Sequence, residues 1–296
     1  MNMAVTRALV QRHAGRAAYE AALLDVAQDH LLYAIESTGL FARPGLVFKG
    51  GTSLRKCRLG SAGRFSTDLD FAAPDDTDVV DVCAAIDGVT VGGFAFSLKE
   101  SSGSARIWAL DVLHRDLGNV TGLARVEFAR RRPALPAERL VPIPLAVHGQ
   151  YAFKLEALPV LAEVEACAEK LARYRRAPLA RDLYDLAWFA TRPIDERLLR
   201  RLWVLKVFCD VVEDRRGAKP LLGSDVLTRR EVKDFPAAAI GVLTQALDIA
   251  GWEARVRSRF GFLATMDEQE QRWAECNARD HDEVLKHLAA GGFVRP

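Results

Sequence analysis

Two short segments hold the side chains best suited to chemistry. Lys49-Gly50-Gly51-Thr52-Ser53 reads as a strand end turning through two glycines into a helix. Ser66-Thr67-Asp68-Leu69-Asp70-Phe71 sets two carboxylates on alternate residues of a short apolar strand. Strand side chains alternate, so Asp68 and Asp70 project to one face. Two acids aimed at one point repel unless a cation sits between them. Gly50 and Gly51 let the backbone pass close to a ligand and present N–H groups at a helix start, where phosphate oxygens are held well. The combination points to Mg²⁺ and a nucleoside triphosphate. An Asp-x-Asp pair alone is more often a turn former, and the glycine pair upstream tips the balance.

Thr52 and Ser53 can add hydroxyl donors or cap the following helix. Phosphoryl transfer commonly wants a third acid, because one metal holds the triphosphate and another lowers the pKa of the attacking hydroxyl. Glu127, in Arg125-Val126-Glu127-Phe128, is the first candidate for that metal ligand, and Asp111 the second. A further constellation is Glu169-Lys170 with Arg181-Asp182-Leu183-Tyr184-Asp185-Leu186. Lys170 lies at the rim of an apolar helix face, and a lysine suits a phosphate as a point charge. Asp182 and Asp185 are helical neighbours. Arg181 and Asp182 offer the alternative of a purely structural ion pair, and Asp185 reads as more structural than chemical.

Elements must hold these groups in place. Helical spacing of Leu23, Leu24, Val26, Ala27, Leu31 and Leu32 predicts a helix over 18–35. Short strands are expected at 46–48 and 69–72, and a helix over 75–86 with acids in its first turn. Further strands are expected at 94–98, 106–113 and 123–128 between polar turns. Residues 133–144 are proline-broken and extended. Beyond them, helices are expected over 162–173, 179–189, 195–212, 237–249 and 268–288. The fold class is therefore α+β: a mixed sheet with flanking helices over 1–145, then a mainly helical domain over 146–296 that completes the site.

The chain has 296 residues and is 50% hydrophobic, enough for a substantial core. A net charge of +2 gives no global pull toward nucleic acid. The distribution says more. Every charged side chain from Thr67 to Asp87 is acidic, whereas bases outnumber acids from Lys170 to Lys219. Arg125, Arg130, Arg131 and Arg132 form a smaller basic cluster around Glu127. A metal site followed by a basic surface suits an enzyme handling a polyanion, although such runs are equally often solvated helix faces. Cys57, Cys83, Cys167, Cys209 and Cys276 are odd in number, without metal spacing, and read as reduced thiols of a cytoplasmic protein. No signal peptide or membrane-spanning window is present, so no membrane partner is expected.

The ordered motifs Lys49-Gly50-Gly51-Thr52-Ser53-Leu54-Arg55-Lys56, Arg64-Phe65-Ser66-Thr67-Asp68-Leu69-Asp70, Glu169-Lys170-Leu171 and Arg181-Asp182-Leu183-Tyr184-Asp185-Leu186 resemble the AbiEii/AbiGii toxin family of the nucleotidyltransferase superfamily. The resemblance implies a nucleotidyltransferase-like sheet. Gly50 and Gly51 match the turn that cradles the triphosphate, and Asp68 and Asp70 the metal-binding pair. Lys170 matches a lysine on nucleotide phosphate, and Asp182 an active-site aspartate. Arg64 matches a phosphate-contacting basic residue. Ser66 matches a serine that bonds the site backbone or is modified. The resemblance also implies a toxin that transfers nucleotides from an NTP to the 3′ end of tRNA and blocks translation, with Mg²⁺ as cofactor. Its expected partner is an antitoxin encoded by the adjacent gene. By this reading Arg173, Arg175, Arg176 and Arg181 meet the RNA backbone, and Trp108, Trp188 and Trp203 are candidates for base stacking. Two rivals remain: the same fold modifying a protein hydroxyl, and a non-enzymatic regulatory module. The presence of both aspartates and the lysine argues against the last.

Overall fold

In this computed structural model, which describes residues 5–101, 104–235 and 242–289, the chain opens with a helix that the sequence pattern does not announce. Helix α1 (Arg7–Ala14) starts where the Thr6 hydroxyl accepts the Leu9 N–H. Helix α2 (Tyr19–Ser37) follows the expected periodicity, but its burial extends to Asp25, Gln28, Asp29 and His30. Polar groups so placed need partners.

Strand β1 (Val47–Lys49) feeds α3 (Gly50–Leu54), which runs without a break into a π turn over Arg55–Leu59. Strand β2 (Leu69–Ala72) and helix α4 (Asp76–Ile86) follow; the Asp75 carboxylate caps α4 by accepting the Thr77 N–H. Then come β3 (Thr90–Val91), β4 (Phe94–Glu100), β5 (Ile107–His114), β6 (Gly118–Ala129), β7 (Glu138–Leu140) and β8 (Leu158–Val160). They form one eight-stranded sheet in the order β3-β4-β5-β6-β2-β1-β8-β7. Strand β2 lies parallel to β6 and antiparallel to β1, and β1 lies parallel to β8. The Asp-x-Asp strand is thus flanked by the strand that leads into the glycine turn and by the strand that bears Glu127. Behind it, Phe48, Phe71 and Phe128 pack in one core with Leu23, Val26, Ala27 and Leu31 of α2.

The chain divides into two units. The first comprises Met1–Pro133, Ala137–Leu161 and Val242–Ala246. It runs past the join expected at 145/146 because β8 takes its backbone partners from β1 and β7. Such a strand cannot leave the sheet without orphaning those groups.

The second unit comprises Ala134–Pro136, Ala162–Gly241 and Leu247–Pro296. It holds α5 (Glu163–Arg176), α6 (Ala180–Phe189), α7 (Glu196–Val212), α8 (Ile249–Arg259), α9 (Glu268–Ala274) and α10 (His281–Ala289). Glu165, fully buried, accepts the Ala134 and Leu135 N–H groups and the Lys206 ammonium, which ties 134–136 into this unit.

Two predicted helices differ. Of the one expected over 237–249, residues 237–241 lie outside the described residues. Val242 bridges Phe65 instead, and regular helix begins only at Ile249. The helix expected over 268–288 is broken near Cys276, whose φ of 50° is left-handed and incompatible with helix continuation. All five cysteines are free and buried. Among the described residues, no helix is long and apolar enough to cross a membrane.

Candidate active site

Register places the acids. Asp70 lies opposite Lys49 of β1 and Glu127 of β6. Directly opposed residues share a sheet face, so Lys49, Asp70 and Glu127 form one row. Gly50 follows Lys49 with φ 77°, where a side chain would be strained. A Cβ there would overlap the Asp70 carboxylate, falling 2.6 Å from Cγ. Asp70 therefore rests directly on the Gly50 backbone. A Cβ on Gly51 would fall 2.6 Å from an Arg64 guanidinium nitrogen and 2.8 Å from Ser66 Oγ. The two glycines give room to three candidate side chains, Asp70 on one side and Arg64 and Ser66 on the other. Arg64 is buried and donates to the Phe65 carbonyl at 3.3 Å.

Thr52 and Ser53 do not cap the helix. The helix starts at Gly50, with Lys49 as its cap residue, so both lie inside the first turns. Both are buried. The Thr52 hydroxyl donates to the Asp68 carbonyl, and Ser53 Oγ donates to the Gly50 carbonyl at 3.1 Å. Their hydroxyl protons are thus committed to backbone acceptors.

Asp68 immediately precedes β2 and is half-buried, with the Thr67 hydroxyl 3.3 Å from its Oδ1. Glu127 shares the face of Asp70 and has Arg125 Nη1 at 3.8 Å. Among the described residues, however, no group of three His, Cys, Asp or Glu side chains is placed to hold a metal. Asp68, Asp70 and Glu127 do not close into the expected three-acid cage. A pair of carboxylates still suits Mg²⁺, which is commonly held by one or two carboxylates together with substrate phosphates. The cradle left by Gly50, filled by the Asp70 carboxylate, fits that arrangement. Asp111, the second candidate, sits at the β5–β6 register shift. Its carboxylate accepts the Gly122 N–H at 3.2 Å and pairs with Lys99 at 3.1 Å, an assignment to the bulge.

In the second unit, Lys170 Nζ lies 3.1 Å from Asp182 and 2.8 Å from Asp185. Asp182 is buried and also accepts from Arg173 Nε at 3.0 Å. Its ion-pair partners are Lys170 and Arg173, not Arg181. Three arginines expected on RNA are already engaged: Arg173 with Asp182, Arg175 with Asp225 at 2.6 Å, and Arg176 with Asp210 at 2.6 Å. Arg181 is half-buried. Trp203 is fully buried and Trp188 packs on Phe189, so Trp203 is core rather than a stacking platform. Trp108 is partly buried against the first unit's core.

The residues missed in the sequence form a buried ionic network under the glycine turn. Lys56 Nζ lies 2.8 Å from both Asp25 and Asp29, and it donates to the Asp25 carbonyl at 2.6 Å. Arg55 Nε lies 3.2 Å from Asp25, and His13 Nε2 2.7 Å from it. The Tyr151 hydroxyl donates to Asp29 at 2.7 Å, and His148 lies 3.2 Å away. Burial alone would raise both carboxyl pKa values. Lys56, with Arg55 and His13, nonetheless holds Asp25 well below its ordinary range, and Lys56 with His148 holds Asp29 below it. Gln28 Nε2 donates to the carbonyls of Ser66 and Thr67 at 3.0 and 3.1 Å. One signal is present in the sequence: Asp25, Gln28 and Asp29 recur at helical spacing, with His30, among the apolar residues of 21–35.

A mixed sheet with a glycine turn entering a helix, and an Asp-x-Asp strand beside it, defines the nucleotidyltransferase class. The family model described as nucleotidyl transferase AbiEii toxin, type IV toxin–antitoxin system, matches residues 31–286. The chain belongs to this family and is a toxin-type nucleotidyltransferase. The structure is similar to that of MenT4, a nucleotidyltransferase toxin from Mycobacterium tuberculosis H37Rv, with 59% identity and a TM-score of 0.93. That match covers 98% of this chain and 99% of MenT4. JHP933 from Helicobacter pylori matches at 18% identity and a TM-score of 0.45, over 88% of this chain and 97% of that one. Among curated proteins nothing matches.

Proposed function

We propose that this toxin transfers a nucleotidyl group from an NTP to the 3′ end of tRNA in the cytoplasm, and that an antitoxin from the adjacent gene restrains it. The observation that carries the reading is Asp70, set between Lys49 and Glu127 in register and seated on the Gly50 turn. Asp68 and Asp70 are the residues to hold Mg²⁺, which when bound neutralises phosphate charge and lowers the pKa of the attacking hydroxyl. The Gly50-Gly51 turn and Arg64 hold phosphate oxygens. Lys170, by its motif, contributes a phosphate contact, and Asp182 orients it. The acceptor 3′-oxygen bonds to the α-phosphorus, and the bond from that phosphorus to the β-phosphate oxygen breaks. Pyrophosphate leaves, and the hydroxyl proton passes to a carboxylate of the Asp68, Asp70 and Glu127 face. Catalysis is then largely position and charge neutralisation.

A second reading keeps the site and changes the acceptor to a protein hydroxyl. It is favoured by the ion pairs that engage Arg173, Arg175 and Arg176 and so remove cations expected on RNA. One experiment separates the two. Purified protein is incubated with total tRNA, Mg²⁺ and each α-³²P-labelled NTP in turn, with Asp70→Ala as control. Label in tRNA that vanishes in the control supports the first reading. Label confined to protein supports the second, and absence of label in either sinks both.

A further inference from the structure

Among the described residues, the segment that delivers Asp68 lies outside the strand ladders. Phe65 is bridged to Val242, and ladder pairing in β2 resumes only at Leu69. Between them, the carbonyls of three successive residues are held by side chains. Gln28 Nε2 donates to Ser66 and Thr67, and the Thr52 hydroxyl donates to Asp68. Both neighbours of the Gln28 nitrogen are carbonyl oxygens, so the amide must present its donor end to them. Gln28 is fully buried in α2 and Thr52 is buried in α3. Each side chain thus satisfies backbone carbonyls of the segment that carries Asp68.

We propose that Gln28 and Thr52 are positioning residues for the metal-binding pair. By holding three successive carbonyls they fix the backbone on which Asp68 stands relative to Asp70. Asp70 is fixed independently, by β-sheet register and by contact with Gly50. Asp68 stands on the backbone that this side-chain scaffold holds. The proposal reassigns Thr52 from phosphate contact to scaffold, since its hydroxyl proton already points at the Asp68 carbonyl. It rests on the reading of Asp68 and Asp70 as the metal-binding pair. Groups that orient ligands in this way typically change metal affinity 10–100-fold when removed, that is, about one to two decades.

The test uses the full chain and Mn²⁺ as the probe, with binding read directly by electron paramagnetic resonance. Gln28→Leu and Thr52→Val each remove the donor while keeping bulk, and either suffices should the other fail to fold. Leu24→Val, a buried apolar change on the same helix, controls for loss of stability. Expected is a Mn²⁺ affinity weakened by about 10–100-fold in both donor variants, with a parallel rise in the Mg²⁺ needed for half-maximal transfer. Leu24→Val is expected to lower the melting temperature and leave Mn²⁺ affinity unchanged. Donor variants that bind Mn²⁺ like the wild type would overturn the proposal, as would a Leu24→Val shift of equal size. Asp70→Asn separates the underlying premise: undiminished Mn²⁺ binding there would remove the metal-site reading and this inference with it.

Discussion

At the scale of single residues, Gly50 and Asp70 are one unit. The glycine is needed twice, for its positive φ and for the space its missing Cβ leaves to the carboxylate. Gly50→Ala is expected to destabilise the fold by about 1–2 kcal/mol through the left-handed backbone alone. It is also expected to abolish transfer by displacing Asp70. Urea unfolding and the labelled-NTP assay measure the two effects, and a Gly50→Ala protein with normal transfer would refute the contact. The pairing of glycine turn with Asp-x-Asp was legible because residue type and spacing carry it. The reason for the glycines was not. The sequence suggested room for a ligand, whereas the first occupants of that room are Asp70, Arg64 and Ser66. Thr52 was legible as a hydroxyl near the site, but its partner, the Asp68 carbonyl, depends on a tertiary approach that no local pattern encodes.

At the scale of elements, α2 and the α3–π segment are joined by ions rather than by apolar packing alone. Lys56 is shared by Asp25 and Asp29, and Arg55 adds a second cation to Asp25. Lys56→Met would leave two buried carboxylates short of their common partner. Removing one member of such a pair costs about 3–5 kcal/mol, so the variant is expected to unfold at markedly lower urea or to be recovered poorly. A denaturant midpoint equal to that of the wild type would show that the network contributes little. Elements bounded by strong punctuation were legible: β2 and α4 around Pro74 and Asp75, and α7 after Asp195, whose carboxylate accepts the Leu198 N–H. Strands β7 and β8 were not, because three-residue strands in proline-rich chain are defined by the neighbours they find. The same dependence hid the division of the chain, since β8 carries the first unit past the prolines that look like a linker.

At the scale of the whole molecule, buried titratable groups give the fold's stability its dependence on pH. Burial would raise the carboxyl pKa values of Asp25 and Asp29, but their cations hold both below the ordinary 3.8. A carboxylate with a lowered native pKa contributes stability that is fully present above its unfolded value and is lost as pH falls through its native value. Their share of the acid limb therefore lies below 3.8. At the other end, burial and then Asp29 raise the Tyr151 hydroxyl well above 10.0, so stability falls once the unfolded phenol ionises. In the second unit, burial would lower the Lys206 pKa, but Glu169 and Glu165 outweigh it and raise it above 10.5. That contribution is present below 10.5 and is lost as pH rises through the native value, so it shares the alkaline limb. Burial holds His30 below 6.5, which adds a loss of stability as pH falls below 6.5. Burial pushes the Cys57 thiol up from 9.0 to about 12, which adds one as pH rises above 9.0. The urea midpoint, followed by circular dichroism, is therefore expected to plateau between 6.5 and 9.0 and to fall further below 3.8 and above 10.0. Tyr151→Phe removes the ionisable phenol and is expected to make the alkaline limb shallower while lowering the plateau by roughly 1.5–3 kcal/mol, the worth of a hydrogen bond to a charged group. An alkaline limb unchanged by Tyr151→Phe would place its origin in Lys206 and other groups. An acid limb already complete by neutral pH would contradict the ionised state of Asp25 and Asp29.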